Sequence, residues 1–482
     1  MRENTDGSTR RHRSGGQGAF RAGRGHGYPV AMTERHVSED GAGRMAADAA
    51  LDRRLGRFVP LRPGEGRAVL WSFAYFFCLL AGYYVLRPLR DEMGVAGGVR
   101  NLQWLFTATF VALLAAVPAY GALVARLPRA RFIPIVYRFF IANIVVFWLL
   151  LTLDVATVAV ARTFFVWISI FNLFAVSVFW SFMADLFRSE QGKRLFGFIA
   201  AGGTAGALLG PAITVGLAGV LGPVNLLIVA ALFLEAAVIC AHRLENASPR
   251  APDEAPSAPE DAVPEDTAKE KLGGGWLAGF ALLARSPYLA GIALWVTLLS
   301  LAGTFLYFQQ ANLVAAASDD PAVRTRLFGA IDLAVGVLTL AVQSLATGRL
   351  IRRIGTGAAA ALLPLVFALG FAVLAVAPAL AVVIAFQAVQ RTANFAVSNP
   401  AREILFTAVA REEKYKAKNV IDAVVFRAAD ALWGWAFATM RASGLGLGAI
   451  ALLTVPAALG WLLLSLVLGR AQERRAAAQT VS

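Results

Sequence analysis

Long uncharged, apolar runs broken by short arginine-rich segments dominate the pattern of this chain. They cover 69–86, 101–125, 139–153, 163–184, 195–234, 286–318, 333–348, 354–390 and 442–469. About 20 residues carry an α-helix across a bilayer, so the longest runs hold more than one crossing. The 195–234 run contains Gly222-Pro223 and the 354–390 run contains Pro378, and each is predicted to break there into two helices. The 286–318 run reads as one long helix plus a loop. Helix 11, over about 416–441, is inferred from its place in the order, because Asp422, Arg427 and Asp430 interrupt it. The pattern therefore predicts an all-α polytopic membrane protein with twelve transmembrane helices.

Composition agrees: hydrophobic residues make up 58% of the chain and charged residues 16%, and the mean hydropathy is +0.62. No soluble chain of 482 residues could cover its surface from that stock. The cations are placed unevenly. Thirteen stand in the short loops after helices 2, 4, 8 and 10 (Arg126, Arg129, Arg131; Arg188, Lys193, Arg194; Arg349, Arg352, Arg353; Arg411, Lys414, Lys416, Lys418). Five (Arg100, Arg162, Arg324, Arg326 and Arg441) stand on the other side. The positive-inside rule then puts both termini in the cytoplasm of a cell whose inner membrane holds the protein. Loop arginines also account for most of the +14 net charge, so no nucleic-acid partner is expected.

Residues 1–66 read as a disordered, basic cytoplasmic tail, or in part as an over-extended start with Met32 and Met45 as later candidates. No apolar segment of signal type precedes helix 1. Residues 244–275 are rich in proline, alanine and acid, and read as a cytoplasmic linker between six-helix halves at 67–243 and 276–470, with a short tail at 471–482. The halves repeat. Gly121 to Arg129 after helix 2 matches Gly348 to Gly355 after helix 8, and Arg188 to Lys193 after helix 4 matches Arg411 to Lys416 after helix 10, at nearly the same interval. Six plus six helices is the arrangement of the major facilitator class, and the glycine-arginine loops resemble its conserved loop in a degenerate form lacking the usual aspartate.

Candidate chemistry lies inside the spans, where ionisable groups are costly and point to function. At the end of helix 1, Arg87, Arg90 and Asp91 follow an 18-residue uncharged run. Arg87 and Asp91 are four apart and share a helix face, which leaves a net positive patch suited to an anionic solute. On helix 10, Gln387, Arg391, Asn394, Ser398 and Arg402 step by three or four residues and form one polar stripe. It lines a cavity or glues helices together by hydrogen bonds. Ser177, Ser181, Asp185 and Arg188 on helix 4 form a weaker analogue.

Asp422, Arg427 and Asp430 are read either as a network tying helix 11 to a neighbour or as a relay, and Asp185, Glu190 and Lys193 as coupling or gating groups. Glu235 has no sequence-local partner and is a proton-coupling candidate, whereas Asp332 is expected to be solvated near the outer end of helix 8. Gly202, Gly206 and Gly210 signal close helix packing. Cys78 and Cys240 make neither a disulfide framework nor a metal site. There is no Gly-x-x-x-x-Gly-Lys-[Ser/Thr] loop and no metal-ligand cluster, and all four histidines are placed outside the spans. No cofactor is expected, the chain is not read as an enzyme, and transport must be secondary.

Leu86-Arg87-Pro88-Leu89-Arg90-Asp91 resembles the helix 1 signature Leu-Arg-x-x-Lys-Asp of the ATP/ADP antiporters of plastids and obligate intracellular bacteria. Phe179-Trp180-Ser181-Phe182 with Ser189 to Phe196 is similar to that family's Phe-Trp-x-Phe…Glu-Ala-Lys-Arg-Phe segment. Asn399-Pro400-Ala401-Arg402-Glu403, then Glu412 to Lys418 and Ile421-Asp422, resembles its Asp-Pro-Thr-Lys-Glu…Glu-Glu-Lys-x-Lys-x-Lys…Ile-Asp segment.

The resemblance runs in order over roughly 65–470 and implies nucleotide exchange, with Arg90 and Arg402 at positions where the family uses lysines. Three positions depart from it: both lysines are arginines, the aspartate before the proline is Asn399, and the helix 7 acid falls near the neutral Tyr307. Arginine still grips phosphate bidentately. The expectation is a monomeric major facilitator-type exchanger of a phosphate-bearing anion, ATP or ADP by the resemblance. The alternatives are a proton-coupled exporter of another organic anion and a non-transporting scaffold or sensor.

Overall fold

The computed structural model describes residues 49–481 apart from 58, 127–128, 248–275 and 346. The first half contains α1 (Gly66–Ala96), α2 (Leu102–Arg126), α3 (Arg129–Thr152), α4 (Thr157–Leu186), α5 (Ser189–Leu221) and α6 (Leu226–Ala247). A short helix, Trp276–Arg285, leads into α7 (Pro287–Ala317), α8 (Pro321–Leu345) and α9 (Thr347–Val376). Next come α10, made of Leu380–Ala393 and Asn399–Leu405 joined by a π turn at Asn394–Ser398, and α11, made of Arg411–Val420 and Phe426–Ala442 joined by a π turn at Ile421–Val425. The last helix is α12 (Leu447–Val481).

Among the described residues, eleven helices are long and apolar enough to cross a membrane. The twelfth is α11, whose first turns are charged but which packs along α2 and α7. The protein is an all-α, multi-pass membrane protein.

The breaks follow local chemistry. Gly222 ends α5 at φ +77°, a conformation glycine adopts without strain, and α9 and α10 part at 377–379, around Pro378. Contrary to the expected helix plus loop, α7 is a single 31-residue helix; the Ser286 hydroxyl caps it by accepting from Leu289 N, and Pro287 occupies its first turn.

Residues 1–48 of the expected tail and 248–275 of the expected linker lie outside the described residues. Within the rest of the expected tail, residues 49–55 are helical, and the Asp52 carboxylate accepts from Gly64 N (2.7 Å) and Gly66 N (2.9 Å). The basic residues beyond 470 extend α12 rather than forming a separate tail. Glu65, just before α1, binds Gln191 and Arg194 of α5 at 3.0 and 2.9 Å. Burial works to raise its carboxyl, yet the Arg62 amide, Gln191 and the Arg194 guanidinium together hold it below the usual glutamate value.

Two aromatic cores fill the bundle, one within the first half and one that joins the second half to Val95, Leu102, Leu105 and Phe165 of the first. In the first, Phe76 stacks on Phe179 at 4.1 Å, and the Tyr75 hydroxyl donates to Tyr137, which donates to the Ala175 carbonyl, linking α1, α3 and α4. In the second, Trp295 packs on Trp461 and donates to Ser465 at 2.8 Å. The glycine stripe of α5 lies directly on α1: a Cβ on Gly202, Gly206 or Gly210 would sit within 2.7 Å of a backbone carbonyl of Phe73, Phe77 or Ala81.

Gly206→Val is accordingly expected to lower the melting temperature of the purified protein, because overpacking against backbone costs about 1–3 kcal/mol. Gly216→Ala on the same helix, with nothing within 4 Å, should leave it unchanged. Equal melting temperatures for the two variants would contradict the packing argument.

Candidate functional site

Two cavities of about 290 and about 140 Å³ lie between the halves and share three lining residues, Arg87 of α1, Asp332 of α8 and Arg391 of α10. The larger runs from these toward the end of the bundle that carries Gly66, past Leu80 and Tyr84 to Phe76, past Gly203 and Thr204 of α5, and past Thr339 and Gln343 of α8. Arg87 to Phe76 is about 16 Å at 1.5 Å per residue. The smaller cavity is walled by Arg90, Asp91, Tyr307, Gln310, Phe328 and Gln387.

Beyond it the halves are closed on each other at the far end. Arg324 of α8 grips Glu92 of α1 through Nε and Nη2, both at 2.7 Å, with the two side chains only 10% and 1% exposed. Trp435 of α11 packs on Trp104 and donates to Thr107 of α2 at 3.1 Å, and Phe106 meets Phe308 of α7 at 5.1 Å.

Three guanidinium groups meet two carboxylates at the cavity. Arg391 Nη1 lies 2.5 Å from Asp332 Oδ1, and Arg87 Nε lies 3.6 Å from Asp332 Oδ2, too far for a hydrogen bond. Arg90 pairs with Asp91 at 3.3 Å and lies 4.1 Å over the Phe165 ring, while the Tyr307 hydroxyl donates to Asp91 Oδ1 at 3.0 Å. The site therefore carries one net positive charge in walls of low dielectric, which magnify its potential. Below it, Gln390 donates to Gln387, which donates to Gln310, both at 2.7 Å, and this chain ties α10 to α7. Pro88, lacking an N–H, leaves the Tyr84 carbonyl without its intrahelical donor beside Arg87.

Of the sequence candidates, the structure brings Arg87, Arg90, Asp91, Gln387 and Arg391 together. It also changes several readings. Asp91 pairs with Arg90 rather than with Arg87 four residues away. Asp332, expected to be solvated, is 3% exposed at the centre of the site. Phe395 rather than Asn394 lines the larger cavity, and the π turn at Asn394–Ser398 adds a residue to the turn and breaks the regular stripe.

Arg402 lines neither cavity; it meets Asp422 of α11 at 3.2 Å, beside a Glu403–Lys418 pair. Asp430 accepts from Ser300 (2.6 Å) and Thr304 of α7 and pairs with Arg427 at 3.4 Å, so these two tie α11 to α7. Glu235 does have a partner, Arg138 of α3 at 3.2 Å, on the outside of the first half and away from the cavities. Asp185, Glu190 and Lys193 are exposed where α4 meets α5. His242, placed outside the spans from sequence, falls in the last turns of α6 and is exposed.

Sequence reasoning missed Asp332, Glu92 and Arg324. The available signal was a lone acid at the edge of an apolar run, which only a partner 59 residues away in sequence makes interpretable.

The fold agrees with comparison to known proteins. Solved structures that resemble the chain include a bacterial homologue of the human lysosomal transporter Spinster, inward-facing and unoccupied (15% identity, TM-score 0.54, covering 86% of this chain and 98% of that one). Others are the nucleoside transporter NupG (14%, 0.54, 85% and 98%) and a bacterial homologue of the iron transporter ferroportin, inward-facing (14%, 0.57, 85% and 98%). A search of curated protein sequences returns no match. The sequence model described as the Major Facilitator Superfamily matches residues 71–417, and the chain belongs to that superfamily.

Proposed function

We propose that this protein is a secondary transporter that exchanges an anionic, phosphate-bearing solute by alternating access, with Arg87, Arg90 and Arg391 as its anion-binding groups. The observation that carries the reading is the surplus of guanidinium over carboxylate in a cavity lined by both halves. Guanidinium forks suit phosphoryl oxygens, and Phe76, Tyr84 and Phe395 give the larger cavity apolar surface for the rest of the solute. The likeness to ATP/ADP antiporters makes nucleotides the first substrates to test. The loop arginines argue for cytoplasmic termini in an inner membrane, which would make this the inward-facing state.

Counter-exchange is expected to dominate net flux. Liposomes preloaded with unlabelled ATP, ADP or inorganic phosphate should take up the matching label far faster than empty ones, and collapsing a pH gradient should change the rate little. Uptake into empty liposomes that follows the proton gradient would replace this reading with proton-coupled transport. The pairing of Glu235 with Arg138 outside the cavity weighs against Glu235 as the coupling acid. A protein that moves no solute of any charge would be a scaffold or sensor.

A further inference from the structure

Asp332 sits where the two cavities meet, almost fully buried, with Arg391 on one carboxylate oxygen at 2.5 Å and Arg87 on the other at 3.6 Å. Arg87 belongs to the first half and Arg391 to the second, so a single carboxylate bridges the halves at the centre of the molecule. Its Oδ2 has no hydrogen-bond partner. Oxyanions of a ligand seek this same seat between two guanidinium groups, and the second acid of the site does not compete for it: Asp91 is already taken by Arg90 and Tyr307.

We propose that the Asp332 carboxylate occupies the seat of the substrate's anionic group, so that a phosphoryl dianion binds by displacing Asp332 from Arg87 and Arg391, and Asp332 returns when the solute leaves. The inference rests on the anion reading above. Its physical logic is that two guanidinium groups in walls of low dielectric are costly to leave unpaired: Asp332 pairs with both in the empty carrier, and the solute does so in the loaded one. It also sets the substrate class. A monocarboxylate offers the arginines no more than Asp332 already gives. A phosphoryl group brings three oxygens and up to two charges, enough to satisfy both forks at once. The site should therefore select phosphate esters and phosphate over simple carboxylates.

Two measurements test it. Binding of labelled ATP, ADP and inorganic phosphate to purified protein is compared between wild type and Asp332→Asn, a near-isosteric change that removes the internal competitor. Kd is expected to fall at least tenfold, whereas a residue that merely supports the site would weaken binding when altered. Unchanged or weaker binding by a monodisperse Asp332→Asn protein would overturn the inference while leaving the anion reading in place.

Should that variant fail to fold, competition on the wild-type protein decides. Unlabelled phosphate should displace the label, and acetate at a hundredfold higher concentration should not. Acetate competing as well as phosphate would overturn the proposal. If neither protein binds any phosphate-bearing probe while the wild type transports a neutral nucleoside, the anion reading itself falls, and this inference with it.

Discussion

Arg391→Ala is expected to abolish exchange while expression and membrane insertion stay intact. The substitution removes one of the two guanidinium groups that flank the shared seat and leaves Asp332 buried with only Arg87 beside it, at 3.6 Å. A charge-assisted contact of this kind contributes about 1.5–3 kcal/mol, roughly one to two powers of ten in affinity. The loss of a cation on the second half also removes its grip on the solute, so the halves no longer share the ligand that is to move them. Arg391→Lys should keep part of the activity, because an ammonium supplies the charge without the planar fork.

Exchange in preloaded liposomes, with size-exclusion profiles as the folding control, gives the result, and wild-type rates in Arg391→Ala would remove the arginines from the mechanism. Arg402, which the sequence pattern coupled to Arg391, is expected to act differently: its partner is Asp422 on α11, so Arg402→Ala should loosen α10 from α11 without removing a cavity charge.

Glu92→Gln is expected to open the far end. Glu92 and Arg324 join α1 to α8 by two hydrogen bonds of 2.7 Å in a nearly dry setting. Removing one member of a buried pair costs about 3–5 kcal/mol, because the other charge is left uncompensated, and carrier states commonly differ by only a few kcal/mol. The balance should therefore swing toward the state in which Arg324 reaches water.

Spin labels at Val158 and Asp319, both exposed at the far end in opposite halves, should move apart in Glu92→Gln once Cys78 and Cys240 are replaced. The double exchange Glu92→Arg with Arg324→Glu should restore the shorter distance. An unchanged distance distribution in Glu92→Gln would mean that the aromatic contacts of Trp104, Trp435, Phe106 and Phe308 close this end without the ion pair.

Much of the architecture was legible because lipid imposes it. A chain that crosses a bilayer must satisfy its backbone within each helix, so apolar run lengths announce the spans, and Gly222 and the segment around Pro378 announce where two helices share one run. The α5 glycine stripe is legible for a related reason: small residues at every fourth position allow a neighbouring backbone to approach, and α1 does so. Candidate residues were legible where charge appears against an apolar background, as at Arg87, Arg90, Asp91 and Arg391.

What the sequence by itself determined is thus the spans, their grouping into two halves and the presence of cations inside the membrane. Only the tertiary structure decided the partners. Helical periodicity relates a residue to those three or four positions away, and so it paired Arg87 with Asp91 and extended the helix 10 stripe to Arg402. The docking of α1 against α8 instead gave Arg87 to Asp332 and Glu92 to Arg324, and the π turn at Asn394–Ser398 broke the stripe. A charge in a low-dielectric interior takes the nearest opposite charge in space, and which charge is nearest across the two halves is a property of how they pack, with no signature in the order of residues along either one.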